Sequence, residues 1–314
     1  MKLYKYIFII CSFGSYYALP INRRPSIVTP IDNMECMMIS NDCPIVLLHG
    51  LEGNMSTMDD MKYYIQSKYN RKVYNINIGD TLYTPMNKQL NILCSTLYNI
   101  SQLKNGFDFI GMGHGGLLAR GYVEKCNKYM VRNLITILSP HGGIYNDKNL
   151  NYGNLYSPAI QKNFSISNYW RDPYNYNVYL TNSTFLADIN NEKSNSNSTN
   201  YKLNMLTLHN FIMIYSTNIY GLNYPAESAK FSMYRTVPKR IITNNKSIRT
   251  GRQLMDLKLV DLFDSELYNN DWLGLKELYK SNRLHIYNTS SYTYSQHTKP
   301  IFFNMLGKIL NDNN

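Results

Sequence analysis

Short apolar runs alternate with longer helix-like stretches through the first half of the chain. The apolar runs have the length and β-branched content of strands buried on both faces, and they lie at 45–49, 73–78, 107–112 and 134–138. The longer stretches have helical spacing and lie at 58–68, 87–103 and 117–129. Because parallel strands need crossover connections between them, this alternation predicts an α/β fold with a mostly parallel sheet flanked by helices.

The second half of the chain has fewer regular patterns. Residues 145–206 are rich in Asn, Tyr and Ser without a sustained period, which predicts an irregular or helical cap inserted over the carboxyl edge of the sheet. Runs at 211–216 and 284–287 are expected to be further strands, and 301–310 a closing helix. The polar, basic stretch 237–257 is expected to be a surface loop.

The amino-terminal stretch has the layout of a secretory signal peptide. Lys2 and Lys5 precede an apolar run at 6–13, and small residues follow it. The run is shorter than the ~20 residues of a membrane span, so we expect no stable span there. We predict a cleaved signal over 1–18 and a single domain over 19–314, which enters the secretory pathway and is secreted or sent to a lysosome.

Cysteine and asparagine usage fits an oxidising compartment. Removing Cys11 with the signal leaves an even set of cysteines that can form disulfides, namely Cys36, Cys43, Cys94 and Cys126. Acceptor sequons for N-linked glycans, Asn-x-Ser/Thr, begin at Asn54, Asn99, Asn163, Asn182, Asn197, Asn245 and Asn288. Together with the signal, these features predict a glycoprotein.

Charge and spacing exclude several classes of partner. The formal net charge of +11 falls to +9 when Lys2 and Lys5 leave with the signal, and it is spread thinly along the chain. The densest basic stretch, 239–258, contains no nucleic-acid-binding motif, so no nucleic-acid partner is expected. Neither H-E-x-x-H nor paired C-x-x-C spacing occurs, so no metal and no cofactor are predicted.

A glycine-rich turn follows the third predicted strand. The strand 107–112, FDFIGM, runs into Gly113, His114, Gly115 and Gly116. An α/β-hydrolase places its nucleophile on such a strand-to-helix turn, G-x-S-x-G, where the helix amino end stabilises negative charge. Every part of this elbow is present except the serine, whose position is Gly113. The backbone N–H groups of Leu51 and His114 are the expected oxyanion hole.

The same glycines also fit the dinucleotide-binding pattern G-x-G-x-x-G, at Gly111, Gly113 and Gly116. That pattern belongs to the first strand-helix unit and expects an acidic residue ~20 positions further on. Here the turn follows the third strand, and residues 131–143 contain no Asp or Glu. A nucleotide site is therefore the minor alternative.

Further motifs accompany the glycine-rich turn 111–116, namely 44–50, His141 with Gly143, 169–173, 185–190, 267–268 with Asp271, and 273–277. In these stretches the chain resembles the palmitoyl-protein thioesterases, and the resemblance covers nearly all of its mature length. The resemblance implies an α/β-hydrolase fold and the removal of long-chain acyl groups from cysteine thioesters by a Ser, Asp and His triad. It also implies a long-chain acyl group or an S-acylated protein or peptide as the ligand.

The resemblance carries expectations for cysteines and glycans as well. Cys94 and Cys126 match a family disulfide, and Cys36 and Cys43, outside the family pattern, are left to pair with each other. For glycans, the matching family positions are Asn182 and Asn197.

All three positions of the triad are substituted. The serine falls on Gly113, and the histidine falls on Thr293 or Tyr294. The aspartate falls on Tyr224, with Asn223 as the nearest other choice. Glycine has no lone pair to attack with, and loss of the nucleophile alone costs about a million-fold in turnover. We therefore expect a thioesterase-like protein without catalysis, whose function is to bind an acyl chain or a protein.

Two other functions stay open. One is an active ester or thioester hydrolase in which His114 or His297 substitutes for the missing group. The other is a secreted interaction glycoprotein, in which acyl binding has no role. His141, Asp172 and Asp188 are expected to serve structure, His141 because it matches a family position outside the triad.

Overall fold

The structure is a computed structural model that describes six segments of the chain. They are residues 43–146, 154–193, 198–217, 225–238, 255–289 and 299–312. Several predicted features lie outside the described residues and stay predictions: the signal peptide 1–18, Cys36, Asn197, Tyr224, Thr293, Tyr294 and His297.

The strands of the described residues form one parallel sheet and one antiparallel pair. They are β1 Ile45–Leu48, β2 Val73–Ile76, β3 Phe107–Met112, β4 Val131–Ile137, β5 Asn210–Tyr215, β6 Met233–Pro238, β7 Met255–Val260 and β8 Leu284–Asn288. The parallel sheet has the order β2-β1-β3-β4-β5-β8, and β6 pairs with β7. At its centre Gly111 of β3 lies between Leu48 of β1 and Thr136 of β4. The predicted α/β fold with a mostly parallel sheet is confirmed.

Helices connect most of these strands. The α-helices are α1 Asp59–Tyr69, α2 Met86–Tyr98, α3 His114–Lys125, α4 Pro158–Asn163, α5 Tyr176–Asn182, α6 Leu186–Ile189, α7 Ser198–Leu206, α8 Glu266–Asn269, α9 Leu275–Lys280 and α10 Lys299–Asp312. Short 3-10 helices lie at Met55–Met58, Ser101–Leu103, Ser165–Tyr169, Ala226–Lys230 and Leu262–Asp264. Within the described segments, no helix combines the length and the apolar character needed to cross a bilayer.

The sheet is buried on both faces, which explains the continuous apolar runs of its strands. In β1, Val46 and Leu48 belong to one hydrophobic cluster, and Ile45 and Leu47 belong to another. The first cluster includes residues of α2 and α3, and the second includes residues of α1 and α10. Because successive side chains of a strand point to opposite faces, one apolar run supplies both clusters.

The region predicted as a cap contains α4 to α7 and the 3-10 helix Ser165–Tyr169. It contacts loops at the carboxyl edge of the sheet. Ser165 N–H donates to Leu82 O at 2.9 Å in the loop after β2, and Ile144, after β4, forms a bridge with Trp170. These contacts bring the cap region to the edge where the glycine-rich turn lies.

Helix α3 and the pair β6–β7 differ from the sequence-based expectations. Helix α3 begins at His114 and not at Leu117, because the glycines form its first turn. The stretch 237–257 was expected to be a surface loop, but both of its ends belong to strands. Residues 237–238 end β6, and residues 255–257 begin β7. These two strands are only partly buried, and the long interval between them gives no hairpin signal in the sequence.

One disulfide joins the two helices that follow β2 and β3. It links Cys94 in α2 to Cys126, the residue after α3, as the resemblance implies. Cys43 is buried and also disulfide-bonded. The pairing of Cys43 with Cys36 stays a prediction because Cys36 is not among the described residues.

Candidate functional site

The turn between β3 and α3 consists of Gly113 alone. Gly113 has φ 52° and ψ −117°, a backbone conformation in which residues with a Cβ are strained. Its N–H donates to Ile137 O at 2.7 Å, which holds the turn against the end of β4. The strained strand-to-helix turn that presents the nucleophile in α/β-hydrolases is therefore intact in its backbone.

The glycines around Gly113 have a packing role that Gly113 does not share. A Cβ at Gly111 would lie 2.6 Å from Gly116 Cα, and a Cβ at Gly115 would lie 2.3 Å from His49 O. Helix α3 can approach β3 and the end of β1 only because these positions lack side chains. A Cβ at Gly113 would meet no atom of the described residues within 4 Å. The space for a side chain on the elbow is thus open.

The two expected oxyanion-hole amides come from adjacent backbone segments. A Cβ at Gly50 would lie 3.4 Å from Met112 O, so the turn after β1 lies against the elbow. Across the six described segments, neither Leu51 N–H nor His114 N–H has a hydrogen-bond acceptor. His114 N–H belongs to the first turn of α3, where the helix dipole adds positive potential. Both amides can therefore donate to a ligand oxygen.

The His114 ring is buried and held on both sides. The Gln89 amide nitrogen donates to Thr81 O at 3.0 Å, so the Gln89 side chain presents its oxygen, Oε1, to His114. Because Oε1 can only accept, His114 Nε2 is the donor of their 2.7 Å hydrogen bond. The Tyr169 hydroxyl lies 3.4 Å from Nδ1. Burial, and secondly the positive potential of His49, lower the pKa of His114 to about 3. Both ring nitrogens are thus engaged, and the ring is neutral at physiological pH.

Sequence reasoning missed three residues that surround the elbow: His49, Gln89 and Tyr169. His49 is fully buried, its Nδ1 lies 2.9 Å from Gly50 O, and its Nε2 has no partner among the described residues. His49 and Tyr169 lie in stretches that match the family, which was an available signal. Gln89 belongs to no motif, and only the packing of α2 beside the elbow reveals it.

His141 and Ser139, in the loop after β4, are buried beside the elbow. His141 Nε2 lies 2.9 Å from Thr136 Oγ1, and its ring stacks on Phe231 at a centroid distance of 4.8 Å. Burial holds the pKa of His141 well below its usual value, and the positive charge of Arg120 lowers it further. A Cβ at Gly116 would overlap Ser139 Oγ, at 1.8 Å. Ser139 therefore packs against the glycines of the turn, whereas His141 packs between β4 and Phe231.

The two aspartates of the cap region are engaged in local contacts. Asp172 accepts hydrogen bonds from Tyr174 N–H at 2.8 Å and from Asn175 Nδ2 at 2.7 Å. Asp188 forms an ion pair with Lys125 of α3 at 2.6 Å. Both carboxylates therefore stabilise loop and helix positions.

A cavity of about 200 Å³ lies between the cap region and the β6–β7 pair. Its walls include apolar side chains, among them Met233, Val260 and Trp272. The buried charges that line it already pair with each other, because Arg171 donates to Glu192 at 2.9 Å. The cavity is not lined by Gly113 or by the two free amides, so it is separate from the elbow.

Comparison with known proteins assigns the chain to a family. The family model for palmitoyl protein thioesterase matches residues 44–292. The chain belongs to this family. Membership in the palmitoyl protein thioesterase family also places the chain in the α/β-hydrolase superfamily, which agrees with its parallel sheet.

Several individual proteins are similar to this member of the thioesterase family. Palmitoyl-protein thioesterase 3 of Dictyostelium discoideum is 32% identical, over 85% of this chain and 92% of that protein. Lysosomal thioesterase PPT2-B of Xenopus laevis is 27% identical, over 85% and 92%. Among solved structures, a monoacylglycerol lipase of Paleococcus ferrophilus matches with a TM-score of 0.46 at 10% identity, over 86% of this chain and 95% of that one.

Proposed function

We propose that this chain is a non-hydrolytic member of the palmitoyl protein thioesterase family that binds a long-chain acyl group, free or carried on a cysteine. The observation that carries the proposal is Gly113: the elbow keeps its backbone, its open space and its free amides, but has no nucleophile. Without an oxygen or sulfur at this position, no acyl-enzyme can form on the elbow.

The surroundings of the elbow support the absence of triad chemistry. His114, the nearest candidate for a substitute base, has both ring nitrogens engaged and a pKa of about 3. A general base works best with a pKa near the working pH, so His114 is poorly suited to activate water. The residues aligned with the acid and the base are Tyr224 and Tyr294 or Thr293. A tyrosine or threonine cannot replace the Asp-His pair of the triad.

Binding requires features that the chain retains. The N–H groups of Leu51 and His114 can donate to the carbonyl oxygen of an acyl group. The cavity beside the cap region has apolar walls, and its buried charges are paired with each other, but its volume is below the ~300 Å³ of a complete small-molecule site. Because neither Gly113 nor the two amides line it, the cavity is not counted as part of the site for the acyl carbonyl group.

The proposal places the protein in the secretory pathway, with a lysosome or the outside of the cell as its destination. Relatives named as lysosomal thioesterases support the lysosomal option. The Cys94–Cys126 disulfide is of the kind that persists in oxidising compartments. The side chain of Asn182, one predicted glycosylation site, is exposed.

Hydrolysis and binding are tested separately on the purified, secreted protein. We expect no hydrolysis of a palmitoyl thioester above the uncatalysed rate, with an active family member as positive control. Gly113→Ser should also stay inactive, because the acid and base positions are substituted as well. Hydrolysis by the unmodified protein at a rate comparable to the active relative would refute the proposal and favour the use of an unrecognised group such as His297.

Binding is measured with a non-hydrolysable palmitoyl thioether of cysteine. Leu51→Pro removes one of the two free amides, and Leu51→Ala is the matched control that keeps it. The loss of one hydrogen bond, about 1 kcal/mol, should weaken binding by roughly fivefold in the proline variant only. If the unmodified protein does not bind the ligand and releases no lipid on extraction, the elbow does not bind acyl groups and an interaction glycoprotein is favoured instead.

A further inference from the structure

The sequon asparagines within the described segments share one property, which is their exposure. Asn54, Asn99, Asn163, Asn182 and Asn288, the sequon asparagines within the described segments, are all exposed. Asparagines that the fold buries lie outside sequons: Asn133, Asn168, Asn190 and Asn210. The folded chain therefore has room for a glycan at every sequon whose surroundings are described.

Asn54 lies on the segment that carries the Leu51 amide. It is three residues beyond Leu51, so the two Cα atoms are within about 11 Å. Its side-chain Oδ1 caps the following 3-10 helix by accepting from Ser56 N–H at 3.0 Å. The cap uses only the oxygen of the amide. The nitrogen, which is the atom that carries an N-linked glycan, is left for that purpose.

Asn163 is the last residue of α4 in the cap region. Its Nδ2 donates to Ala159 O at 2.9 Å. A glycosylated amide nitrogen keeps one hydrogen, so this hydrogen bond can persist after modification. The hydroxyl residue of the sequon, Ser165, is fully buried and fixes the local backbone through its N–H bond to Leu82 O.

Two hydrogen bonds link the segments that carry these two sequons to one surface loop, residues 81–83. On one side, Glu52 N–H donates to Thr81 Oγ1 at 2.9 Å. On the other side, Ser165 N–H donates to Leu82 O at 2.9 Å. Asn54 and Asn163 are each two residues from one of these contacts. The next residue of the bridging loop, Tyr83, is 67% exposed.

From this juxtaposition we propose that Asn54 and Asn163 both carry N-linked glycans, which flank the Tyr83 loop and shield the carboxyl edge beside Leu51 from protein-sized molecules. The donor is an oligosaccharide on a lipid pyrophosphate. The bond between its anomeric carbon and the pyrophosphate oxygen breaks, and Nδ2 forms the new C–N bond and loses one proton. The lipid pyrophosphate leaves with the electron pair.

The proposal rests on passage through the secretory pathway and does not depend on acyl binding. Its consequence is a restriction by size. Two hydrated oligosaccharides beside the Leu51 amide leave room for a lipid or a short peptide, whereas a folded protein must displace them. The shielding can therefore be measured with a protease, independently of any acyl ligand.

Site occupancy is measured on the full chain secreted from eukaryotic cells, by tandem mass spectrometry after enzymatic release of glycans, which converts each modified Asn to Asp. We expect Asp at positions 54 and 163. Ser56→Ala removes the first sequon but keeps the Asn54 cap, and should lose one glycan, whereas the matched control Ser56→Thr should keep it. Asn163→Gln should lose one glycan as well. If Asn182 carries a glycan but Asn54 or Asn163 does not, the paired arrangement is overturned and passage through the secretory pathway is not. If no site carries a glycan, the paired arrangement and passage through the secretory pathway are both overturned.

Shielding is measured as the rate at which chymotrypsin cleaves after Tyr83. The glycosylated protein should be cut several-fold more slowly than the double variant Ser56→Ala, Asn163→Gln. The control double variant Ser56→Thr, Asn182→Gln keeps both flanking glycans and should be cut at the unmodified rate. Equal cleavage of the shielded and unshielded proteins at Tyr83 would overturn the shielding, even if both sites prove to be occupied.

Discussion

Replacing Gly113 with alanine tests whether the elbow is strained but uncrowded. The added Cβ meets no atom of the described residues within 4 Å, so the change has no steric cost. The cost comes from φ 52°, because a residue with a Cβ in the left-handed region loses about 1–2 kcal/mol. We expect the free energy of unfolding to fall by that amount, and the melting temperature to fall by roughly 2–8 °C.

Gly115→Ala is the matched comparison, because its cost has the opposite origin. Gly115 is helical, where alanine is preferred over glycine by about 1 kcal/mol. Its Cβ would, however, lie 2.3 Å from His49 O and 2.7 Å from Leu48 O, which are backbone atoms of the central sheet region. Overpacking of this kind costs up to about 3 kcal/mol or more, so Gly115→Ala should be the more destabilising of the two.

Urea denaturation measures the free energy of unfolding of both variants, provided that its dependence on urea concentration is the same for each. If Gly113→Ala destabilises the fold as much as Gly115→Ala, the space above the elbow is crowded and the reasoning fails. If Gly113→Ala stabilises the fold, the position is not in the left-handed region. The first result also removes the structural basis of the proposal that the elbow presents an open site.

Three further changes test other parts of the structure. Cys94→Ser with Cys126→Ser opens a loop of 32 residues and should cost about 4 kcal/mol in urea denaturation, against no effect if the bond does not form in solution. His114 stays neutral in the fold, because its pKa is lowered from 6.5 to about 3, so its contribution to stability is fully present above pH 6.5 and declines as pH falls. In His114→Gln the free energy of unfolding should therefore change less between pH 6.5 and 4 than in the unmodified protein. The same pH dependence in both proteins would contradict this. Burial raises the pKa of Glu124 from 4.5 to about 7 despite its pairing with Arg120, so its contribution to stability is fully present below pH 4.5 and declines as pH rises to 7. The stability of Glu124→Gln should therefore increase relative to that of the unmodified protein as pH rises from 4.5 to 7. A constant difference in the free energy of unfolding between the two proteins argues against the shift.

The sequence predicted the parallel core well because its strands are apolar on both faces. The predicted strand 107–112 matches β3 without any shift. Strand β4 begins at Val131, earlier than the predicted 134, because it starts with polar residues that the pattern does not recognise as buried. Arg132 and Asn133 are buried there since both donate to Asp108 of β3. Local hydrophobicity cannot report a partner that is distant in the sequence.

The candidate site was predictable only in its backbone. The G-x-G-x-G spacing located the elbow, and the match to the family located the Leu51 segment. The environment of His114 was not predictable, because Gln89 and Tyr169 come from α2 and from the cap region. The antiparallel pair β6–β7 was missed for a related reason, since its pairing depends on a contact across a long interval of sequence.

The geometry of the elbow has an evolutionary consequence. Glycine adopts φ 52° without penalty, whereas a serine at the same place gives up about 1–2 kcal/mol of a native stability that is typically only 5–15 kcal/mol. Under the proposed function, a change of Gly113 to serine alone would therefore lower the stability of the fold without supplying the acid and base of the triad. Selection for stability alone would then favour glycine over serine at this position.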